Sequence, residues 1–214
     1  MNPVWLVRVL PDLRRRDVRA DLADAVALHR RVMTLLPDQI GPDARSLAGA
    51  LFRLEEKRSG VEILIQTRLA PLVDQLPPGY GQVATRDLTG LLDRLHTGLG
   101  VHYRLVANPA KRLGRTAKHP GKLAALRGDD AETWWTSRAD RCGLTLRSST
   151  ALPLDDITGP RRGRAQIRHA LTRYDGVAVV TDPDALRTAI LDGVGRGKAH
   201  GAGLLSIAPI GGTR

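Results

Sequence analysis

Near the C-terminus, Gly193-Val-Gly-Arg-Gly-Lys-Ala-His-Gly-Ala-Gly203 interleaves Gly193, Gly195, Gly197, Gly201 and Gly203 with Arg196, Lys198 and His200. An apolar run, Leu204-Leu-Ser-Ile-Ala-Pro209, follows at once. Glycine tolerates positive φ and lets a backbone approach a ligand closely, so such a loop can bring bare amide N–H groups and cations onto a phosphate. Two familiar nucleotide loops are excluded. A P-loop requires Ser or Thr after its Lys, whereas Ala199 follows Lys198. A dinucleotide fingerprint follows a strand and opens a helix, whereas this segment follows a predicted helix and opens a predicted strand. In a very basic chain that order points to a polyanion rather than a mononucleotide.

The histidines are His29, His96, His102, His119, His169 and His200. None forms a metal-spaced pair on one helix face and no HExxH occurs, so neither a metal nor another cofactor is expected. Glu55-Glu56 and Asp155-Asp156 are adjacent pairs that would point to opposite sides of a strand, which leaves no paired carboxylates. His29 is the sharper candidate. It lies about 100° round a predicted helix from Leu28, at the border of an apolar face formed by Leu28, Val32, Leu35 and Leu36. An imidazole of ordinary pKa, ~6.5, moves protons at neutral pH. RNA brings its own nucleophile, the 2′-OH, so strand cleavage needs only proton transfer and stabilisation of a charged phosphorane. Taken alone, a histidine at a helix border is more often structural or simply exposed.

Within 214 residues, Lys and Arg number 33 against 22 acidic residues, a net charge of +11. That is the electrostatic footprint of a nucleic-acid binder, with affinity that falls as salt rises. Aromatic residues make up only 3% of the chain, too few for a platform on which unpaired bases stack, so duplex or hairpin backbone is the expected target. Cys142 is the only cysteine, which excludes an intrachain disulfide and a thiolate metal site, and it is expected as a small core residue. No apolar run has transmembrane length and Met1-Asn2-Pro3 opens no signal peptide, so a cytoplasmic protein without membrane partners is expected.

The elements that would position these groups read as follows. Val4–Leu10 is a strand, Leu13–Asp17 a polar connection, and Asp24 the N-cap of a helix running to Leu36. Leu51–Glu55 and Val61–Thr67 form a hairpin, Ala70–Leu76 a short helix, and Tyr80–Asp87 a weaker strand. The order β-α-β-β-α-β then recurs. Val101–Ala107 is a strand, Asp130 caps a helix containing Trp134 and Trp135, and Gly143–Ser149 is extended. Arg164–Tyr174 and Val177–Thr181 meet at Asp175-Gly176, a two-residue hairpin signal. Asp182-Pro183 starts a last helix before the glycine-rich loop. The fold class is α+β, with two tandem ferredoxin-like (RRM-like, βαββαβ) domains over residues 1–90 and 99–214 joined around 88–99. Two basic stretches stand outside this pattern: Asn108–Lys122, with Lys111 and Arg112, and Gly159–Arg164, whose Arg161, Arg162 and Arg164 lead into a strand with Arg168.

Trp5-Leu6 on the first strand, Leu28-His29-Arg30, Arg104-Leu-Val-Ala-Asn108-Pro-Ala-Lys-Arg112, Tyr174-Asp-Gly-Val177, Val180-Thr-Asp182 and the Gly193–Leu205 loop resemble, in order, motifs of the CasE family. These are the CRISPR-associated repeat-processing endoribonucleases of type I-E systems. The resemblance spans nearly the whole chain and is specific as a set. It implies tandem ferredoxin-like domains and metal-independent cleavage at the base of a repeat hairpin in precursor CRISPR RNA. The implied products carry a 2′,3′-cyclic phosphate and a 5′-OH, and the enzyme stays with the other Cascade subunits. It also implies that His29 is catalytic. Many members carry a Tyr three residues before that histidine, where this chain has Val26. Either the hydroxyl is dispensable, another group such as Lys198 or His200 replaces it, or the enzyme is slow. Arg196, Lys198 and the loop amides would offset phosphate charge. Arg161, Arg162, Arg164 and Arg168 would track the hairpin backbone, with Lys111, Arg112 and His200 as further RNA contacts. The rival readings are a non-catalytic RNA-binding subunit of the same complex, an RRM-like binder and a phosphate-binding metabolic enzyme. The nuclease reading requires His29 and the glycine-rich turn to meet at one phosphodiester.

Overall fold

The apolar run that opens the chain becomes β1 (Trp5–Pro11), an inner strand in a computed structural model that describes residues 3–37, 44–116, 118–159 and 167–211. After it come α1 (Arg16–Ala23), α2 (Ala25–Met33), α3 (Ala44–Leu47), β2 (Leu51–Lys57), β3 (Gly60–Thr67) and β4 (Gly81–Asp87). The strands form a four-stranded antiparallel sheet of order β2-β3-β1-β4, with Val7 opposite Ile65 and Val9 opposite Ile63. Strand alternation sends Val7, Val9, Phe52, Ile63 and Ile65 to one face, where Val18, Leu28, Val32 and Leu35 cover them.

The second half follows a short helix, α4 (Thr89–Asp93). It comprises β5 (Gly100–Ala107), β6 (Ala110–Arg112), β7 (Leu123–Ala125), α5 (Asp129–Ala139) and β8 (Leu144–Pro153). Then come β9 (Ile157–Gly159), β10 (Ile167–His169), β11 (Thr172–Val180), α6 (Pro183–Asp192) and β12 (Leu205–Pro209). A second four-stranded antiparallel sheet has the order β12-β5-β11-β8, while β6 with β7 and β9 with β10 make two-stranded ribbons. Trp134, Trp135, Tyr103, Tyr174, Leu105 and Leu144 build its core together with Leu186 and Ile190 of α6. Val4, Leu92 and Leu95 belong to this second core, so the segment read as a joint is packed into the second half.

The halves meet across the other face of the first sheet, which carries Leu51, Arg53, Glu55 and Gln66. Gln66 Nε2 donates to the Ile190 carbonyl at 2.8 Å and Arg53 Nη1 to the Leu204 carbonyl at 3.0 Å. Arg53 is 2% exposed, a burial that a guanidinium tolerates only when paired. Glu55 pairs it at 2.5 Å and also accepts from Arg104 Nη1 at 3.1 Å, while Arg104 Nε donates to Asp175 at 2.5 Å. Burial opposes ionisation of Glu55, but Arg53, Arg104 and Lys57 outweigh it and hold the carboxyl below its ordinary range.

Several local expectations fail for identifiable reasons. The polar connection at Leu13–Asp17 runs into α1, whose start has no side-chain cap to mark it. That helix buries Val18, and its Asp21 accepts from Tyr80 Oη at 3.1 Å and Arg31 Nε at 2.7 Å. The helix expected over 70–76 is only a 3₁₀ turn, Val73–Gln75. α5 starts at Asp129 after Gly128, without a cap from Asp130. Asp175-Gly176 is not a hairpin turn: β11 runs straight through it, paired with β5 and β8 on both sides. Glycine is needed there because a Cβ would lie 2.0 Å from the Ser148 carbonyl oxygen, and the register shifts just beyond, between Val177 and Ala178. Cys142 sits buried in a 3₁₀ turn, Asp140–Cys142, where burial pushes its thiol pKa up. Among the described residues no helix is long and apolar enough to cross a membrane.

Candidate active site between the two halves

α2 starts sharply because Asp24 Oδ1 accepts from the Val26 and Ala27 amides at 2.7 and 3.2 Å. Its Leu28 and Val32 are buried in the first core, which fixes the rotation of the helix. His29, one residue further round, is half-buried at the edge of that face. Burial first, and then the charge of Arg45 on α3, hold its pKa below the ordinary 6.5. The imidazole is therefore neutral at neutral pH and able to accept a proton.

The glycine-rich segment reaches His29 from the other half. Asp182 caps α6 by accepting from the Asp184 and Ala185 amides, with Pro183 in the first turn. The helix ends at Gly193, where φ is +74° and a Cβ would lie 2.8 Å from Leu51 Cδ2 on the facing half. A 3₁₀ turn, Lys198–His200, then leads to β12. Gly195, Gly197, Gly201 and Gly203 also have positive φ. The loop's amides are less bare than expected. Val194 N–H donates to Gly203 at 2.8 Å, Gly203 N–H to Val106 at 2.7 Å, and the His200 and Ala202 amides to Gly197 at 2.8 and 3.3 Å. The glycines thus fold the loop onto the core, and what it offers outward is side-chain charge. Arg196 is exposed; Lys198 is half-buried, with its pKa lowered by burial and then by Arg45, against an opposing pull from Asp192.

Three imidazoles meet at this point. The His29 and His200 ring centroids are 6.3 Å apart with planes inclined at 52°, and His200 and His169 centroids are 5.1 Å apart. His169 Nε2 lies 3.2 Å from His200 Nδ1, and His169 Nδ1 lies 2.7 Å from Asn108 Nδ2. Burial, then the Arg196 charge, lowers the pKa of His169. Sequence reasoning assigned no role to His169 or Asn108. They stand 61 residues apart, and only strand pairing brings β5's end beside β10. The recurrence of Asn108 within a family-like motif was the one available signal.

The remaining expected contacts divide into two groups. Lys111 and Arg112 are exposed on the β6–β7 ribbon; Lys111 is 3.6 Å from Asp130 and Arg112 Nη1 donates to the Gly121 carbonyl at 2.7 Å. Ala110, Leu123 and Ala125 of that ribbon line a groove of ≈ 430 Å³ with Asn108, His169 and Arg196, so it adjoins the His169 end of the cluster. Arg168 precedes His169 in β10, its backbone paired opposite Thr158. Arg161, Arg162 and Arg164 lie outside the described residues. His200 and Gly201 also line a cleft of ≈ 540 Å³ between the halves, together with Leu28. Among the described residues no cluster of His, Cys, Asp and Glu could hold a metal ion.

Comparison with known proteins is consistent along the whole chain. Residues 4–209 match the model of a family described as CRISPR associated protein. The CRISPR-associated endoribonuclease Cse3 of Thermus thermophilus is 30% identical over 222 residues, covering 96% of this chain and 100% of the relative. A solved structure of Thermus thermophilus Cse3, bound to an RNA representing a pre-cleavage complex, superposes with a TM-score of 0.79 at 30% identity. It covers 97% of this chain and 100% of that one. A chain of a CRISPR RNA-guided surveillance complex, pre-nicking, superposes with a TM-score of 0.73 at 46% identity, covering 96% of this chain and 100% of that one.

Proposed function

We propose, for a chain that belongs to the CRISPR-associated protein family, an endoribonuclease that cuts repeat hairpins of precursor CRISPR RNA and stays with the guide as a Cascade subunit. The observation that carries this reading is the meeting of His29 with the cationic loop across the two halves, the rings of His29 and His200 being 6.3 Å apart. Each half is taken as a ferredoxin-like domain, since in both sheets the first strand of the half lies inside and its last strand at the edge.

The neutral imidazole of His29 takes the 2′-OH proton as the 2′-oxygen attacks phosphorus and the bond to the 5′-oxygen breaks. The products are a 2′,3′-cyclic phosphate and a 5′-OH, and the RNA supplies both reacting oxygens. Lys198 and Arg196 offset the charge that builds on the phosphorane, the stage at which fixed charge accelerates reaction most. The hairpin backbone runs past Arg196 towards Lys111 and Arg112, and Arg161, Arg162, Arg164 and Arg168 supply further charge to it.

Incubating the protein with a repeat hairpin in EDTA, and analysing the ends of any fragments, tests the reading. Cleavage with a cyclic phosphate on one fragment is the expected result. Tight binding without cleavage would favour a non-catalytic RNA-binding subunit.

A further inference from the structure

We propose that His200 is a second catalytic residue, the acid that protonates the leaving 5′-oxygen, and that His169 and Asn108 are positioning residues that orient it. This rests on the endoribonuclease reading above and extends it to the other half of the proton balance.

The geometry has three parts. First, His29 and His200 come from different halves of the chain, and with their ring centroids 6.3 Å apart both imidazoles can reach one phosphodiester docked against the pair. An in-line displacement places the entering and leaving oxygens on opposite sides of phosphorus, so one imidazole serves each. Second, His200 is tethered on its far side, with its Nδ1 3.2 Å from His169 Nε2. His169 Nδ1 is in turn 2.7 Å from the side-chain amide of Asn108, which is 9% exposed. Third, the chain has a direction. Burial and the neighbouring Arg196 keep His169 neutral, and a neutral imidazole donates at one nitrogen and accepts at the other. The Asn108 amide faces His169 through Nδ2; turned half a revolution it presents Oδ1 instead, His169 Nδ1–H donates to that oxygen, and His169 Nε2 accepts from His200 Nδ1–H. His200 keeps that bond whether its Nε2 is protonated or not. An orienting partner of this kind is what a proton-transfer imidazole requires.

The step balances. His29 gains the 2′-OH proton while the bond from the 2′-oxygen to phosphorus forms. The bond from phosphorus to the 5′-oxygen breaks, and that oxygen takes the proton from His200 Nε2. Exchange with solvent then restores both imidazoles. The charged groups around the pair are Arg45 beside His29, Arg196 beside His169, Lys198 in the turn that carries His200, and Glu55, Glu56, Asp155, Asp156 and Arg173 along the cleft that His200 lines.

A hairpin with sulfur in place of the bridging 5′-oxygen at the cut decides the matter, because a thiolate leaves without a proton. Single-turnover rates are measured for the full chain and for His200→Ala, His200→Gln, His169→Ala, Asn108→Ala and His29→Ala on both substrates. Hairpin affinity and melting temperature are followed in parallel, and His200→Gln stands in should His200→Ala fold poorly. On the oxygen substrate the His200 variants are expected to lose about 10²–10⁴-fold, and His169→Ala and Asn108→Ala up to about 10²-fold. On the sulfur substrate all of these recover most of the loss and His29→Ala does not. A His200 variant that cuts the oxygen substrate at the parental rate, or one equally slow on both substrates, overturns the proposal while leaving the endoribonuclease reading intact. A parental protein that cuts neither substrate removes both.

Discussion

The two faces of the first sheet do opposite work. Under α2, Val7, Val9, Phe52, Ile63 and Ile65 form a dry apolar layer, and the helix that covers it holds His29 at its border. On the reverse face, Arg53 and Gln66 are buried and Glu55 half-buried, yet all three are polar, and they bond to carbonyls and charges of the second half. The first face sets the direction in which His29 points; the second sets the distance from His29 to His200. Apolar packing is broad and forgiving in register, whereas a buried guanidinium aimed at one carbonyl admits a single docking position. A site shared between two halves needs the second kind of surface.

Substitutions at each face separate these roles. His29→Ala, which leaves both faces intact, should cost about 10²–10⁴-fold in cleavage with hairpin affinity retained, as seen by comparing gel-shift and single-turnover data. Arg53→Ala leaves Glu55 with Arg104 and Lys57 but takes the donor from the buried Leu204 carbonyl, and should destabilise the protein by about 1–3 kcal/mol in denaturant titration, with cleavage falling alongside. An Arg53→Met, Glu55→Leu pair should recover stability without recovering the rate; equal recovery of both would erase the distinction between the faces. Leu28→Ala opens a cavity on the dry face and should cost about 2–5 kcal/mol in the same titration.

Acid should weaken the docking face. Glu55 is held below its ordinary carboxylate range when folded, so it binds fewer protons than in the unfolded chain. Its contribution is complete above the ordinary value of 4.5 and fades as pH falls through the lowered one. Melting temperatures taken downward from neutral pH should therefore drop faster in the parent than in the Arg53→Met, Glu55→Leu pair. The smallest effect is expected at the cap, where Asp24→Ala should cost about 1 kcal/mol of thermal stability and loosen the first turn before His29.

Legibility in the sequence followed the range of the forces involved. β1, the β2–β3 hairpin, α2 with Asp24 and α6 with Asp182-Pro183 were readable because alternation and capping are local. α1 was missed because its stability comes from Val18 and Asp21 meeting distant partners. Asp175-Gly176 reads as a turn because nothing local reveals the Ser148 strand that needs a glycine opposite it. Within the site, His29 and the cationic loop were visible, one through helix periodicity and family-like motifs, the other through composition. His169 and Asn108 were not, since nothing in a linear spacing marks two residues that only a sheet brings together. The loop's glycines suggest bare amides, yet those amides largely serve the loop itself.

Val4, just ahead of β1, finds its packing partners in the core of the second half. The histidine-bearing helix leaves the ribosome long before the turn that must face it. Any chain halted before that turn carries an imidazole with nothing opposite and a β-strand whose leading residue is unhoused. Translation thus withholds nuclease competence until that turn has been made.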